Sequence, residues 1–383
     1  MGVRIGCGLS TRPDTRGAAQ EAAVAAGAAL EGRPADLVLV FASGGHLADP
    51  FALLDPIGNE LSPAALSGCG ASGVVGGGRE VDGGSGVSVW AAHLAGGHAE
   101  SFIAEPVQTE LGTALTGLPD PTGSSGVLLF PDPYSLPTDA LLRALEEASP
   151  GSALVGGLPS ARTLDGGAAL FCDDAIGAEG VCGAVLHDVD LQTCVSQGAV
   201  PLGPELTITA GEGHVIAELA GRPALERIRE TLMTLEPAER ELVEHGLLLG
   251  IVVETGQPEY GRGDFVVRGV LGADPESGSV TVGAPVSPGQ VVRLHARDLS
   301  HAGTDLRCAL AEAEAGPAAG ALVFACQSRG ADRAAGGGGD ADAVARALDG
   351  APAAGFHAAG EIGPLHGHAL LHGFTATVAV FRP

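Results

Sequence analysis

The sequence predicts an α/β protein: mixed sheets with flanking helices, built from internally repeated units of strand, helix, glycine-rich corner and strand. Three observations lead there. Three apolar runs look alike, LVLVFAS at 37–43, GVLLFPD at 126–132 and GALVFAC at 320–326. Each precedes a segment able to form a helix and then a glycine-rich corner: GCGASG at 68–73, GGLPSA at 156–161 and GFHAAG at 355–360. The first corner glycines, Gly68, Gly156 and Gly355, follow the Phe of their runs by 27, 26 and 31 residues. A continuous apolar run suits a strand buried on both faces. Alternating strands and helices argue for an α/β class, and agreement of order with spacing argues for repetition.

Taken in order, the corners are followed by further strand patterns at 85–91, 181–187 and 369–381. The clearest helix covers Pro137 to Ala148, with Thr138 as its cap and Leu141, Leu142 and Leu145 as an apolar stripe. Asp340 to Leu348 is its counterpart in the third unit, and residues 106–125 read as a connection. The pattern changes near Val200–Pro204. An extended stretch from Leu206 to Leu219 leads to a helix opened by Pro223, with Leu225, Ile228, Leu232 and Leu235 on its buried side. Strand patterns resume at 247–253, 265–270, 280–282 and 291–294, two of them joined by the turn Asp274-Pro-Glu-Ser-Gly278. Two domains follow, 1–200 and 201–383.

Composition excludes several functions. The chain has 383 residues, and all 20 basic residues are Arg, so chemistry that needs a Lys amine is absent. A net charge of −26 opposes nucleic acid and anionic lipid as partners. The seven Cys are scattered, odd in number and without a CxxC pair, which suits reduced thiols in a cytoplasmic protein. No apolar run is long enough to span a membrane, and the start MGVRIGCGLSTRP lacks a signal-peptide core. Gly336–Gly339 has no following Lys and reads as a loop.

Candidate chemistry gathers in the third unit. Cys326 ends a buried strand and Gln327-Ser328-Arg329-Gly330 follows at its carboxyl end, where open α/β sheets bind ligands. Gly360-Glu361 closes the third corner, and Arg268 and Arg297 can each hold a carboxylate by paired hydrogen bonds. His366, His368 and His372 lack an accompanying Cys or acid, so no metal set is expected, and no GxSxG elbow or catalytic triad is present. Asp132 and Tyr134 end the second strand and specify nothing alone.

The stretches GHVIAELAGRPAL (213–225), GDFVVRGVLGADPESGSVTVG (263–283), LHARDLS (294–300), ALVFACQSRG (321–330), AGFHAAGEIGP (354–364) and HGFTATVAVF (372–381) resemble the carboxyl-terminal domain of the FIST sensory family. LVLVFAS, SGCGASG and GGLPS are similar to its amino-terminal domain. The chain departs from the family pattern at Gly70 and Val74, and in the Ala- and Gly-rich stretch after Gly330. The resemblance implies an intracellular sensor that binds a small ligand, an amino acid or similar zwitterion, without catalysis and without a cofactor, signalling to a separate output protein. It implies ligand contact by Arg268, Arg297, Cys326, Arg329, Gly330, Gly360, Glu361, Gly363 and Thr375, with Ser328 added from the strand-end cluster. Three alternatives stay open: an acyl- or amide-transfer enzyme using Cys326, a haem-linked gas sensor, and a scaffold whose pocket is vestigial, which the altered loops permit.

Overall fold

The three apolar runs are strands buried at every residue: Leu37–Ser43, Gly126–Pro131 and Gly320–Cys326. A computed structural model describes residues 2–109, 112–244, 246–261, 263–313, 316–329 and 339–383. Each run has a helix after it: Phe51–Leu61, Thr138–Ala148 or Asp340–Ala347. The helix returns the chain to a parallel neighbour strand, Leu66–Ala71, Ala153–Gly157 or Ala353–Ala358. An antiparallel strand lies on the other side of each run: Gly86–His93, Val181–His187 or Thr375–Phe381.

The corner glycines are demanded by the parallel pairing. A Cβ on Gly68, Gly156 or Gly355 would stand 1.9, 1.9 or 1.8 Å from the carbonyl oxygen of Val40, Leu129 or Val323 on the neighbouring strand. Beyond its corner each chain segment crosses to another sheet. Gly73–Gly76 pairs with Ala353–Ala358, Leu170–Cys172 with Leu66–Ala71, and Glu361–Leu365 with Ala153–Gly157. Each of these three sheets therefore completes itself with a segment from elsewhere in the chain.

The shared interior is aromatic. Phe41, Phe130 and Phe324, the Phe of the three runs, meet with ring centroids 5.6, 6.4 and 5.9 Å apart, and Phe356 lies 5.0 Å from Phe41. Such tilted and edge-on pairs each contribute about 0.5–1.5 kcal/mol beyond area burial. Helices cover the outer faces: Thr15–Ala28 with Phe51–Leu61 on one sheet, Thr138–Ala148 on the second, and Leu306, Ala309 and Leu310 with Asp340–Ala347 on the third.

The chain divides into two compact units, but not at one point. The first comprises Met1–Ser196, Gly303–Leu371 and Ala376–Pro383; the second is Gln197–Ala302 with His372–Thr375. The first unit draws on both ends of the chain, because the third strand run packs its Phe324 against Phe41 and Phe130.

Some expectations need correction. Residues 106–109 and 112–116 are not a connection but part of a ribbon, His98–Thr109 paired with Gly112–Thr116. The strand expected over 369–381 breaks into His368–His372 and Thr375–Phe381, with Phe374 at φ 65° between them. The stretch 206–219 likewise breaks at Gly213, φ 58°, between Ala199–Glu212 and Val215–Leu219. Thr138 does not cap its helix; Pro137 occupies that position without a side-chain bond, and Thr138 is buried.

In the second unit, Ala199–Glu212, Val291–Arg297, Leu247–Val252, Phe265–Asp274, Ser279–Val282 and Val215–Leu219 are neighbours in that order. Val215–Leu219 pairs back with Ala199–Glu212, closing a barrel that removes its own edges. Leu202, Leu206, Leu249, Val292 and Leu294 form its core, together with Ala224 and Ile228 of the helix Ala224–Thr234. His295 is buried on the opposite face of its strand, 4.9 Å from the Phe265 ring. Gly250 makes its room, since a Cβ there would lie 2.3 Å from the imidazole.

Burial lowers the His295 pKa to about 4. The unfolded chain, with an ordinary imidazole near 6.5, then binds a proton that the folded barrel refuses. Stability from this group is complete above about pH 6.5 and falls by up to about 3 kcal/mol as pH drops to about 4. His295→Gln is expected to flatten the pH dependence of urea unfolding over that window. Parallel pH profiles for parent and variant would overturn the assignment.

Candidate functional site

At the carboxyl end of Gly320–Cys326 the chain makes a short turn, Gln327–Arg329. Cys326 is buried, with its Sγ 3.0 Å from Ser328 Oγ. Arg329 is buried as well. Its Nε donates to Asp340 Oδ2 at 2.9 Å and its Nη2 to Asp340 Oδ1 at 2.7 Å, a two-pronged pair. Asp340 opens the helix Asp340–Ala347, where a carboxylate also meets the favourable end of the helix dipole. The third nitrogen, Arg329 Nη1, is fully buried and has no hydrogen-bond partner among the described residues. Burial alone would lower the Arg329 pKa. The Asp340 carboxylate, with Glu361 and Cys326 beyond it, reverses that and holds it above its ordinary value.

Glu361 is fully buried and enters from the third corner, where it lies opposite Gly157 of the second. Gly360 supplies a carbonyl to Leu158 N at 2.8 Å. Gly363 is held to glycine by packing, because a Cβ would stand 2.7 Å from Val195 Cγ2 and 2.8 Å from Thr377 Cγ2.

All three corners contribute polar groups here. Ser160 Oγ of the second corner accepts from Ser72 N of the first at 2.8 Å and donates to the His357 carbonyl of the third. Ser72 Oγ donates to Gln327 Oε1 at 3.4 Å. The His357 ring is buried between two acids, with Glu80 Oε2 3.5 Å from Nε2 and Asp82 Oδ1 3.5 Å from Nδ1. Glu80 Oε1 also accepts from Ala341 N at 2.7 Å, which ties the helix start to the strand Arg79–Asp82.

The expected residues are thus distributed. Cys326, Ser328, Arg329, Gly360, Glu361 and Gly363 belong to the first compact unit, and Arg268, Arg297 and Thr375 to the second. Arg268 faces the same way as Leu249, which pairs with it and with the core residue Leu294. Arg297 lies three residues beyond Leu294 on the other face, 5.8 Å from the Phe374 ring. Two arginines on opposite faces of one sheet do not make a single clamp. Gly330 lies outside the described residues. Sequence reasoning missed Asp340, His357, Glu80 and the Ser72–Ser160 contact; of these only Asp340, an acid opening a helix eleven residues after Arg329, carried a usable signal. Among the described residues no group of three His, Cys, Asp or Glu could hold a metal ion, and no helix is long and apolar enough to cross a membrane.

Comparison with known proteins places these features in context. The FIST N domain profile matches residues 36–222 and the FIST C domain profile residues 224–364. An uncharacterized protein of Mycobacterium tuberculosis strain H37Rv is 42% identical over 383 residues, covering 99% of this chain and all of its own length. An uncharacterized protein of Mycobacterium bovis is 41% identical over 383 residues, covering 99% of each chain.

Proposed function

Because the chain belongs to the FIST family, whose domains are associated with the sensing of small ligands in signal transduction, we propose that it is a small-ligand sensor. Its site, in this proposal, lies at the carboxyl end of the third strand run, and the ligand is an amino acid or similar zwitterion. The observation that carries the proposal is Arg329. A guanidinium that is buried, held rigid through two nitrogens by Asp340 and left with an Nη1 unmatched among the described residues has a hydrogen bond to give. The Asp340 pair pre-orients that donor, which lowers the ordering cost of binding. Glu361, fully buried and among the charges that raise the Arg329 pKa, supplies the acceptor for an ammonium group.

Calorimetry with the twenty amino acids and their amides tests this. The parent is expected to bind at least one of them. The double variant Arg329→Met/Asp340→Leu removes the buried charges together, so it keeps the fold, and is expected to bind at least tenfold more weakly. A silent panel with the parent, or equal binding by a folded double variant, would overturn the proposal.

A further inference from the structure

Each of the three strand runs ends beside a buried polar side chain with an atom unmatched among the described residues: His46 Nε2 after the first, Asp132 Oδ2 after the second and Arg329 Nη1 after the third. The second is independent of the site proposed above and has the most complete surroundings. Asp132 is 1% exposed, yet among the described residues its carboxylate receives one side-chain hydrogen bond, from Arg162 Nη1 to Oδ1 at 2.8 Å. Arg162 keeps about a third of its side chain exposed, 34% against 2% for Asp132. Its guanidinium lies over the Tyr134 ring, 4.8 Å from the centroid, and its Nε donates to the Gly166 carbonyl. Tyr134 itself is 81% exposed, and Leu164 beside this loop is 84% exposed.

A carboxylate on one side and an aromatic face on the other form a seat for a planar organic cation. In this structure the protein's own Arg162 fills that seat, and fills it incompletely. A guanidinium can engage both carboxylate oxygens side by side, but Arg162, tethered to Gly166, reaches Oδ1 and leaves Oδ2 buried without a partner among the described residues. We propose that Asp132 and Tyr134 form a second binding site, for a small ligand carrying a guanidinium or amidinium group, and that Arg162 is the internal cation it displaces. The exchange swaps one positive charge for another, so it leaves the local charge balance unchanged. A ligand free of the Gly166 tether can donate to both oxygens of Asp132. The overall charge of −26 raises the local concentration of such cations.

Calorimetry with agmatine and benzamidine, neither of which has a carboxylate, provides the test. Vacating the seat by Arg162→Ala, or by Arg162→Gln should the smaller side chain fail to fold, is expected to tighten binding at least tenfold over the parent. Adding Tyr134→Leu to that background is expected to weaken it severalfold, and adding Asp132→Asn to abolish it. The Arg329→Met/Asp340→Leu double variant should bind both probes as the parent does, which separates this site from the zwitterion site. No gain on removing Arg162, or binding that survives Asp132→Asn, would overturn the proposal.

Discussion

Replacing Gly355 by Ala is expected to cost more than about 4 kcal/mol and to leave little folded protein, a loss in the exceptional range for one methyl group. The added Cβ would stand 1.8 Å from the Val323 carbonyl oxygen and 2.7 Å from its carbon. Both are backbone atoms of a strand buried at every residue, so no side-chain rotation relieves the clash. The two parallel strands would have to separate, which disturbs Phe324 and Phe356 and with them the aromatic interior. Gly58→Ala is the matched comparison. Its Cβ meets nothing within 4 Å on the helix Phe51–Leu61, and helix propensity predicts a gain of up to about 1 kcal/mol. Urea unfolding of both variants distinguishes close approach from a general intolerance of change. A Gly355→Ala protein within about 1 kcal/mol of the parent would refute the packing account.

The second large effect concerns the buried pair. Asp340→Ala strands the Arg329 guanidinium, 4% exposed, without its carboxylate, and is expected to lose about 3–5 kcal/mol. Replacing both partners by apolar residues removes the uncompensated charge as well as the attraction, so Arg329→Met/Asp340→Leu should recover most of that loss. The comparison reads the coupling directly by chemical denaturation. A single variant as stable as the parent would show that Arg329 finds water or another partner, and a double variant no better than the single would show that the pair is not a closed unit.

Much of this fold is legible in the residues. Short continuous apolar runs bounded by glycine suit strands buried on both faces, and the glycine corners mark where a neighbouring backbone comes too close for any side chain. The shorter hairpins escaped notice because four-residue strands such as Gly73–Gly76 carry no periodicity of their own. They become strands by pairing with a sheet built from a distant part of the chain. The candidate site divides in the same way. Cys326, Arg329 and Glu361 stand out as chemistry at strand ends and corners, whereas Asp340, Glu80 and His357 gain meaning only from the elements that bring them together.

The strand runs, the corners and the excess of acid can be read from the residues alone, since each depends on local sterics or on composition. Tertiary structure alone decided which sheet each hairpin joins, which carboxylate holds Arg329, and that Arg268 and Arg297 face opposite ways. Those outcomes depend on contacts between residues far apart in the chain, whose energies are settled when the surfaces meet and leave no mark on the spacing of either partner.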